Sequence, residues 1–86
     1  MLTANEAREI TRKSNAKLYE KFKEKGERAV LNHTAYGQST ATVDLSEIKN
    51  DFLTKYEIIE LAVEYYKSFG YEASAYSDNK RIHLKW

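Results

Sequence analysis

The stretch of sequence that decides the fold runs from Gly70 to Trp86 and reads GYEASAYSDNKRIHLKW. Apolar and polar residues alternate in YEASAY and again in RIHLKW, with the two-residue period of strands that bury one face. Between them, SDNK is rich in side chains that hydrogen-bond to their own backbone in turns. The stretch therefore predicts a β-hairpin whose second strand directs Ile82, Leu84 and Trp86 into the core.

A helix is predicted directly before this hairpin, from about Lys55 to Phe69. Thr54 and Glu57 have the spacing of a capping box, in which each side chain accepts a hydrogen bond from the backbone N–H of the other residue. Gly70 is expected to adopt the left-handed conformation that ends a helix. The apolar side of this helix consists of Ile58, Leu61, Ala62, Tyr65 and Phe69.

A longer helix is predicted at the start of the chain, from about Ala4 to Ala35. Thr3 and Glu6 have the spacing of another capping box. A break at Gly26 is the alternative, because glycine weakens a helix interior and is common just after a helix end. The apolar stripe that we expect to pack begins with Ala7, Ile10, Ser14, Leu18 and Phe22.

One more strand is predicted in STATVDL, residues 39–45, and a polar connection, SEIKND, follows it at residues 46–51. If the second predicted helix makes the usual right-handed crossover, the strands on either side of it run parallel. The last strand then fits between them, antiparallel to both. We predict one α+β domain over residues 1–86, with the order αβαββ, in which two helices pack on one face of a three-stranded, split βαβ-like sheet.

Composition indicates a folded intracellular protein. Of the 86 residues, 42% are hydrophobic and 31% are charged, which is typical of a globular domain and unlike a disordered segment. The absence of cysteine excludes disulfides and thiolate metal sites. No apolar run approaches the roughly 20 residues that cross a bilayer, and the first residues lack the apolar block of a signal peptide. We therefore expect a cytoplasmic protein that does not use a membrane.

No motif for catalysis, metal binding or cofactor binding is found in the sequence, so we expect a non-enzymatic protein. His33 and His83, the two histidines, match no zinc signature. The three glycines are too scattered to form a phosphate-binding loop. The serines lack the flanking glycines of a nucleophile elbow.

The net charge of +1 conceals a segregation of charge along the chain. Residues 8–28 carry eight basic and four acidic side chains, whereas residues 44–64 carry six acidic and two basic ones. In the second predicted helix, glutamates recur at three- and four-residue steps beside an exposed tyrosine, and so form one ridge. Because tyrosine is enriched at interfaces and surface charge selects partners, we predict that the ridge binds another protein or a second copy of the chain. The predicted binding residues are Tyr56, Glu57, Glu60 and Glu64.

The outer face of the predicted sheet gives an alternative function. Arg81, His83 and Lys85 form a basic column on this face, and Tyr76 stands beside them. Basic side chains next to an exposed aromatic residue on a small sheet are typical of proteins that bind single-stranded nucleic acid. Glu72 shares the face and weakens its attraction for phosphates.

The order of these elements resembles a group of short proteins encoded by tailed bacteriophages. The resemblance is carried by MLTANEARE at the start, YYKSFGYEAS around Gly70 and IHLKW at the end. These correspond to a capped N-terminal helix, a GY helix-to-strand junction and a final strand of the pattern hydrophobic-x-hydrophobic-x-Trp. The resemblance implies a virion component or a host-directed binding factor in the host cytoplasm, and it transfers no functional residue.

Overall fold

The computed structural model describes residues 1–50 and 53–86 of the chain. The helices are α1 (Ala4–Ser14), α2 (Ala16–Ala35) and α3 (Lys55–Lys67). The strands are β1 (Thr40–Asp44), β2 (Glu72–Ala75) and β3 (Arg81–Lys85). Together they form an α+β fold, as the sequence predicts.

The three strands form one antiparallel sheet in the order β1-β3-β2. Leu84, near the end of β3, lies opposite Ala41 of β1 on one side and Ala73 of β2 on the other. Because β3 is antiparallel to both neighbours, β1 and β2 run parallel to each other and are joined through α3. The predicted arrangement of the strands is confirmed.

Both α2 and α3 pack on the same face of the sheet, α2 over β1 and α3 over β2. The sheet contributes alternate residues to the core, and Val43, Ile82 and Leu84 are almost completely buried. The helices contribute Phe22 and Ala62, which are also completely buried. The opposite, open face carries the polar residues of the strands, and none of the described helices covers it.

The helix α2 runs through Gly26 without a break, and Tyr66 of α3 packs directly against this glycine. A Cβ atom at position 26 would lie 2.5 Å from Cε1 of Tyr66. The Tyr66 hydroxyl donates a buried hydrogen bond of 2.6 Å to the backbone oxygen of Phe22, one turn earlier in α2. Burial, and to a smaller degree the neighbouring Tyr65, raise the pKa of the Tyr66 phenol well above its ordinary value. The glycine is thus a contact site between two helices, and a break at Gly26 is wrong.

The helical segment breaks instead at Asn15, so the single helix predicted over 4–35 is wrong. Asn15 has φ −97° and ψ 8°, outside the helical region. Ser14 and Asn15 are poor helix formers, because their side chains compete for backbone hydrogen bonds. Every residue of α1 is exposed, and among the described helices and strands α1 contacts only α2. The expectation that Ile10 packs in the core is also wrong, since Ile10 is 52% exposed.

Two aromatic residues that the sequence pattern places in the core lie at its edge. Trp86 follows the last residue of β3 and is 39% exposed, with its ring edge-on to Tyr71 at 6.0 Å between ring centroids. Phe69 is exposed because α3 ends at Lys67, two residues before the predicted end. Gly70 has φ 92°, as predicted, and Phe69 lies in the turn before it, where the apolar stripe of the helix no longer applies.

The connection after β1 is less polar than the sequence suggests. Ile48 is buried and belongs to the hydrophobic core. Its backbone N–H donates to the oxygen of Leu45 at 3.1 Å, which forms a tight turn directly after the strand. Residue 51, the last of the predicted connection, lies outside the described residues.

Candidate interaction surfaces

The α3 ridge, made of Tyr56, Glu57, Glu60 and Glu64, lies on the side of α3 that faces away from the sheet. All four residues are exposed, and Tyr56 retains 57% of its accessible surface. The opposite side of α3 is buried against the sheet and α2. Its buried residues are Ile58, Ile59, Ala62 and Tyr66. The structure therefore brings the four predicted residues together on one outward surface.

Hydrogen bonds distinguish Glu57, which caps α3, from Glu60, which bonds to Tyr56 on the surface of the α3 ridge. The Tyr56 hydroxyl bonds to the carboxylate of Glu60, and this bond, together with the negative charge of Glu60, raises the pKa of the Tyr56 phenol above its ordinary value. The Glu57 carboxylate accepts from the backbone N–H of Thr54 at 3.2 Å, and the Thr54 hydroxyl accepts from the N–H of Glu57 at 3.2 Å. Glu57 therefore caps α3. Neither Glu60 nor Glu64 has an ion-pair partner in the described part of the chain.

A shallow depression of about 790 Å³ borders the α3 ridge. On one side it is lined by Thr11 and Asn15, where α1 meets α2. On the other side it is lined by Ala73 and Ala75 of the edge strand β2, and Leu61 adds half-buried apolar surface. The charged ridge is thus flanked by apolar surface, and α1 leaves the body of the protein next to it.

An apolar groove of about 660 Å³ lies between the C-terminal halves of α2 and α3. Leu31 and Phe69 line it and are 67% and 65% exposed. Tyr65 also lines it, and burial, with a smaller contribution from the carboxylate of Glu27, raises the pKa of this phenol. Sequence reasoning missed the groove because it placed Phe69 in the core. The available signal was the position of Phe69 directly before Gly70, where a helix has already ended.

The open face carries the basic column that the sequence predicts. Arg81, His83 and Lys85 alternate along β3 with buried apolar residues, so their side chains share the uncovered face. In the register of the sheet, Arg81 lies opposite Asp44 and Lys85 lies opposite Glu72. Each of the two formal cations therefore has an acidic neighbour on an adjacent strand, and the column produces only a weak positive field.

Tyr76 lies across the open face and already has partners there. Its hydroxyl is 3.2 Å from Oγ1 of Thr42, and the Arg81 guanidinium carbon lies 4.7 Å from the centre of its ring, a cation–π contact. The ring also meets His83 edge-on, with 6.4 Å between ring centroids. Arg81 in turn donates to a carboxylate oxygen of Asp78 at 3.0 Å. Because Arg81 covers one side of the Tyr76 ring, less aromatic surface remains for a nucleobase to stack on.

The two histidines are not brought together. His33, near the end of α2, shares a hydrogen bond with Gln38, and His83 lies in the middle of β3. Residues 1–50 and 53–86 contain no group of three or more His, Cys, Asp or Glu side chains that could hold a metal ion. None of the helices in the same residues is long and apolar enough to cross a membrane.

Comparison with protein-family models, with curated proteins and with solved structures gives no match to this chain. The likeness to short phage proteins therefore stays a prediction. The α3 ridge, the apolar groove and the open face are the surfaces on which a functional proposal depends.

Proposed function

We propose that the chain is a non-enzymatic protein-binding module that recognises a basic partner surface through the α3 ridge. One observation carries this proposal: α3 directs Glu60 and Glu64, which have no ion-pair partner among the described residues, outward beside the exposed Tyr56. An exposed tyrosine next to carboxylates without an ion-pair partner combines contact area with electrostatic selection of the partner. The apolar surface that flanks the ridge would stabilise a complex further when it is buried.

The resemblance to short proteins of tailed bacteriophages supports a narrower proposal. A virion component binds neighbouring structural proteins, and a host-directed factor binds a protein in the host cytoplasm. Both roles need an exposed interface, and the exposed α3 ridge supports them on this point.

The test is capture of partners from a bacterial host lysate on the immobilised chain, before and after nuclease treatment. Glu60→Lys together with Glu64→Lys reverses the charge of the ridge and leaves the Glu57 cap in place. Glu20→Lys with Glu24→Lys makes the same change, at the same spacing, on the exposed side of α2. We expect nuclease-resistant partners that the wild type and the α2 control retain and the ridge variant loses. Equal capture by all three chains would refute the ridge as the site that binds a host protein.

A second candidate function, binding of single-stranded nucleic acid, is favoured by the position of Arg81, His83 and Lys85 on the same uncovered face as Tyr76. With two formal cations and a slope of about 0.7 per phosphate contact, the affinity should fall about sevenfold between roughly 50 and 200 mM salt. Fluorescence anisotropy with a labelled oligothymidine measures this fall, and Lys85→Gln should halve the slope. An affinity that salt does not change eliminates this function.

A further inference from the structure

The helix α1 projects from the protein without a packing partner of its own. It has a complete capping box at Thr3 and Glu6, yet it has no buried residue. An isolated helix of this length is marginal in water, because most helix stability in proteins comes from packing of one side. The projecting helix extends the molecule to 51 Å along its longest axis, against 23 and 19 Å across. A capped helix in this position is suited to bind another surface.

We infer that α1 docks on the α3 ridge of a second copy of this chain, and that the second copy returns the same contact. The product is a two-fold dimer with exchanged α1 helices. This inference rests on the proposed function, because it names the partner of the same ridge.

Charge complementarity is the first argument for this occupant. Arg8 and Arg12 lie one turn apart on the same side of α1, and Glu60 and Glu64 lie one turn apart on the α3 ridge. Two cations and two anions at the same spacing can meet as two ion pairs. Arg12 already pairs with Glu9 at 3.1 Å, but both side chains are largely exposed, and an exposed pair of this kind contributes little stability.

The position of α1 is the second argument. Thr11 and Asn15 line the same depression as Glu60 and Glu64, so α1 leaves the body next to the surface that it binds in the other copy. In a two-fold interface each contact is made twice, and the two contacts form one continuous patch when the docking helix and its acceptor are neighbours. This chain meets that condition, and the break at Asn15 lets α1 set its own direction relative to α2.

The size of the contact is the third argument. With 11 residues α1 nearly matches the 13 residues of α3. A helix of this length is about 16 Å long. Two reciprocal helices of this size bury on the order of 1,200 Å², at the lower end of specific interfaces. We therefore expect a dissociation constant of roughly 10 to 100 µM that rises with salt.

Sedimentation velocity from about 5 to 500 µM, on both sides of that dissociation constant, tests the inference. The wild type should change from monomer to dimer with concentration. Arg8→Glu with Arg12→Glu, and separately Glu60→Lys with Glu64→Lys, should each give a monomer. Their equimolar mixture should dimerise again, because the acidic α1 of one variant then meets the basic ridge of the other. Glu20→Lys with Glu24→Lys, the α2 control, should behave as the wild type.

The neutral variants Arg8→Gln with Arg12→Gln, and Glu60→Gln with Glu64→Gln, keep the test decisive if charge reversal disturbs folding. Each pair should weaken the dimer at least tenfold, with helix content by circular dichroism unchanged.

A wild type that is monomeric throughout the concentration range overturns the inference, as do reversed variants that still dimerise or a mixture that does not. If lysate capture still depends on Glu60 and Glu64 in that case, the ridge binds a different protein and the proposed function stands. If capture does not depend on them either, both proposals fail.

Discussion

Replacement of Gly26 by alanine should destabilise this protein, although alanine is the better helix former. Gly26 lies inside α2, where glycine costs about 1 kcal/mol relative to alanine. An added Cβ would lie 2.5 Å from Cε1 and 3.1 Å from the hydroxyl oxygen of Tyr66. Tyr66 is buried, so its ring cannot move away without displacing other residues of a close-packed core.

Two costs oppose the gain in helix propensity. Insertion of a methyl group into a well-packed site costs about 1 to 3 kcal/mol. A shift of the ring also weakens the 2.6 Å hydrogen bond from Tyr66 to the Phe22 oxygen. A buried hydroxyl left without a partner costs about 1 to 3 kcal/mol. After the gain of about 1 kcal/mol is subtracted, the free energy of unfolding should fall by roughly 1 to 5 kcal/mol.

Urea unfolding followed by circular dichroism measures this change, and a loss of about 2 kcal/mol should lower the thermal midpoint by roughly 8 to 16 °C in a chain of this size. The control is the same substitution together with Tyr66→Leu, which removes the ring atoms near position 26. In that background Gly26→Ala should be neutral or stabilising by up to about 1 kcal/mol, so the two substitutions should couple strongly. A Gly26→Ala protein that is more stable than the wild type would refute the reasoning, because Tyr66 would then not limit the space.

Three further predictions test the core, the caps and the response to acid. Ile82→Ala, at a completely buried position of β3, should lower the free energy of unfolding in urea by about 2 to 5 kcal/mol. Ile10→Ala, on the exposed α1, should change it by less than about 0.5 kcal/mol. Similar losses at both sites would contradict the separation of α1 from the core. Thr54→Ala should lower the free energy of unfolding by about 1 kcal/mol. Thr3→Ala should reduce only the helicity of α1, measured by circular dichroism. A lower urea midpoint for Thr3→Ala would show that α1 packs on the body of the protein. Hydrogen bonds from the backbone N–H and the side chain of Ser46 hold the pKa of the Asp44 carboxyl below its ordinary value of 3.8. Because the pKa of Asp44 is lower in the folded than in the unfolded chain, the resulting stability is present above pH 3.8 and is lost as the pH falls through the folded pKa. Asp44→Asn should therefore flatten the acid unfolding curve below about pH 4. An unchanged curve would count against this cause.

The elements of this fold are readable from the sequence where the signal is local. The capping residue Thr54, the glycine at position 70 and the alternation in Arg81–Lys85 each describe their own neighbourhood, and each is found as predicted. Continuity through Gly26 agrees with the favoured prediction, but the reason for a glycine at this position is not local, because Tyr66 occupies the space beside it. A glycine that ends a helix and a glycine that admits a neighbouring ring look the same in one sequence.

The partial exposure of Trp86 could not be predicted from the alternation of residues, because it also depends on elements distant in sequence. Alternation indicates which face of the sheet a residue lies on, but it does not indicate where the helices that cover this face end. The backbone N–H of Trp86 donates to the oxygen of Ser39, just outside β1, so the chain continues in register while the indole lies beyond the covered area and rests against Tyr71.

The surfaces also differ in whether local sequence is enough to predict them. The α3 ridge follows from helical spacing on one element, so its four residues were found from the sequence. The apolar groove depends on how α2 and α3 lie relative to each other, and Leu31 carries no local signal that it will face Phe69.

The cap on α3 also allows charge and helix geometry to be separated in the proposed interface. Glu57 belongs to the ridge by position, but its carboxylate holds the N–H of Thr54, so a reversal at Glu57 would remove a charge and a cap together. Thr54→Ala removes the cap and leaves every ridge carboxylate in place. Because Ile58 and Ile59 are buried directly after the first turn, packing should hold α3 in place without the cap, and Thr54→Ala should bind partners as the wild type does. Loss of binding in Thr54→Ala, with stability lowered by only about 1 kcal/mol, would mean that the first turn of α3 itself is the contact, and that the charges of Glu60 and Glu64 are not sufficient.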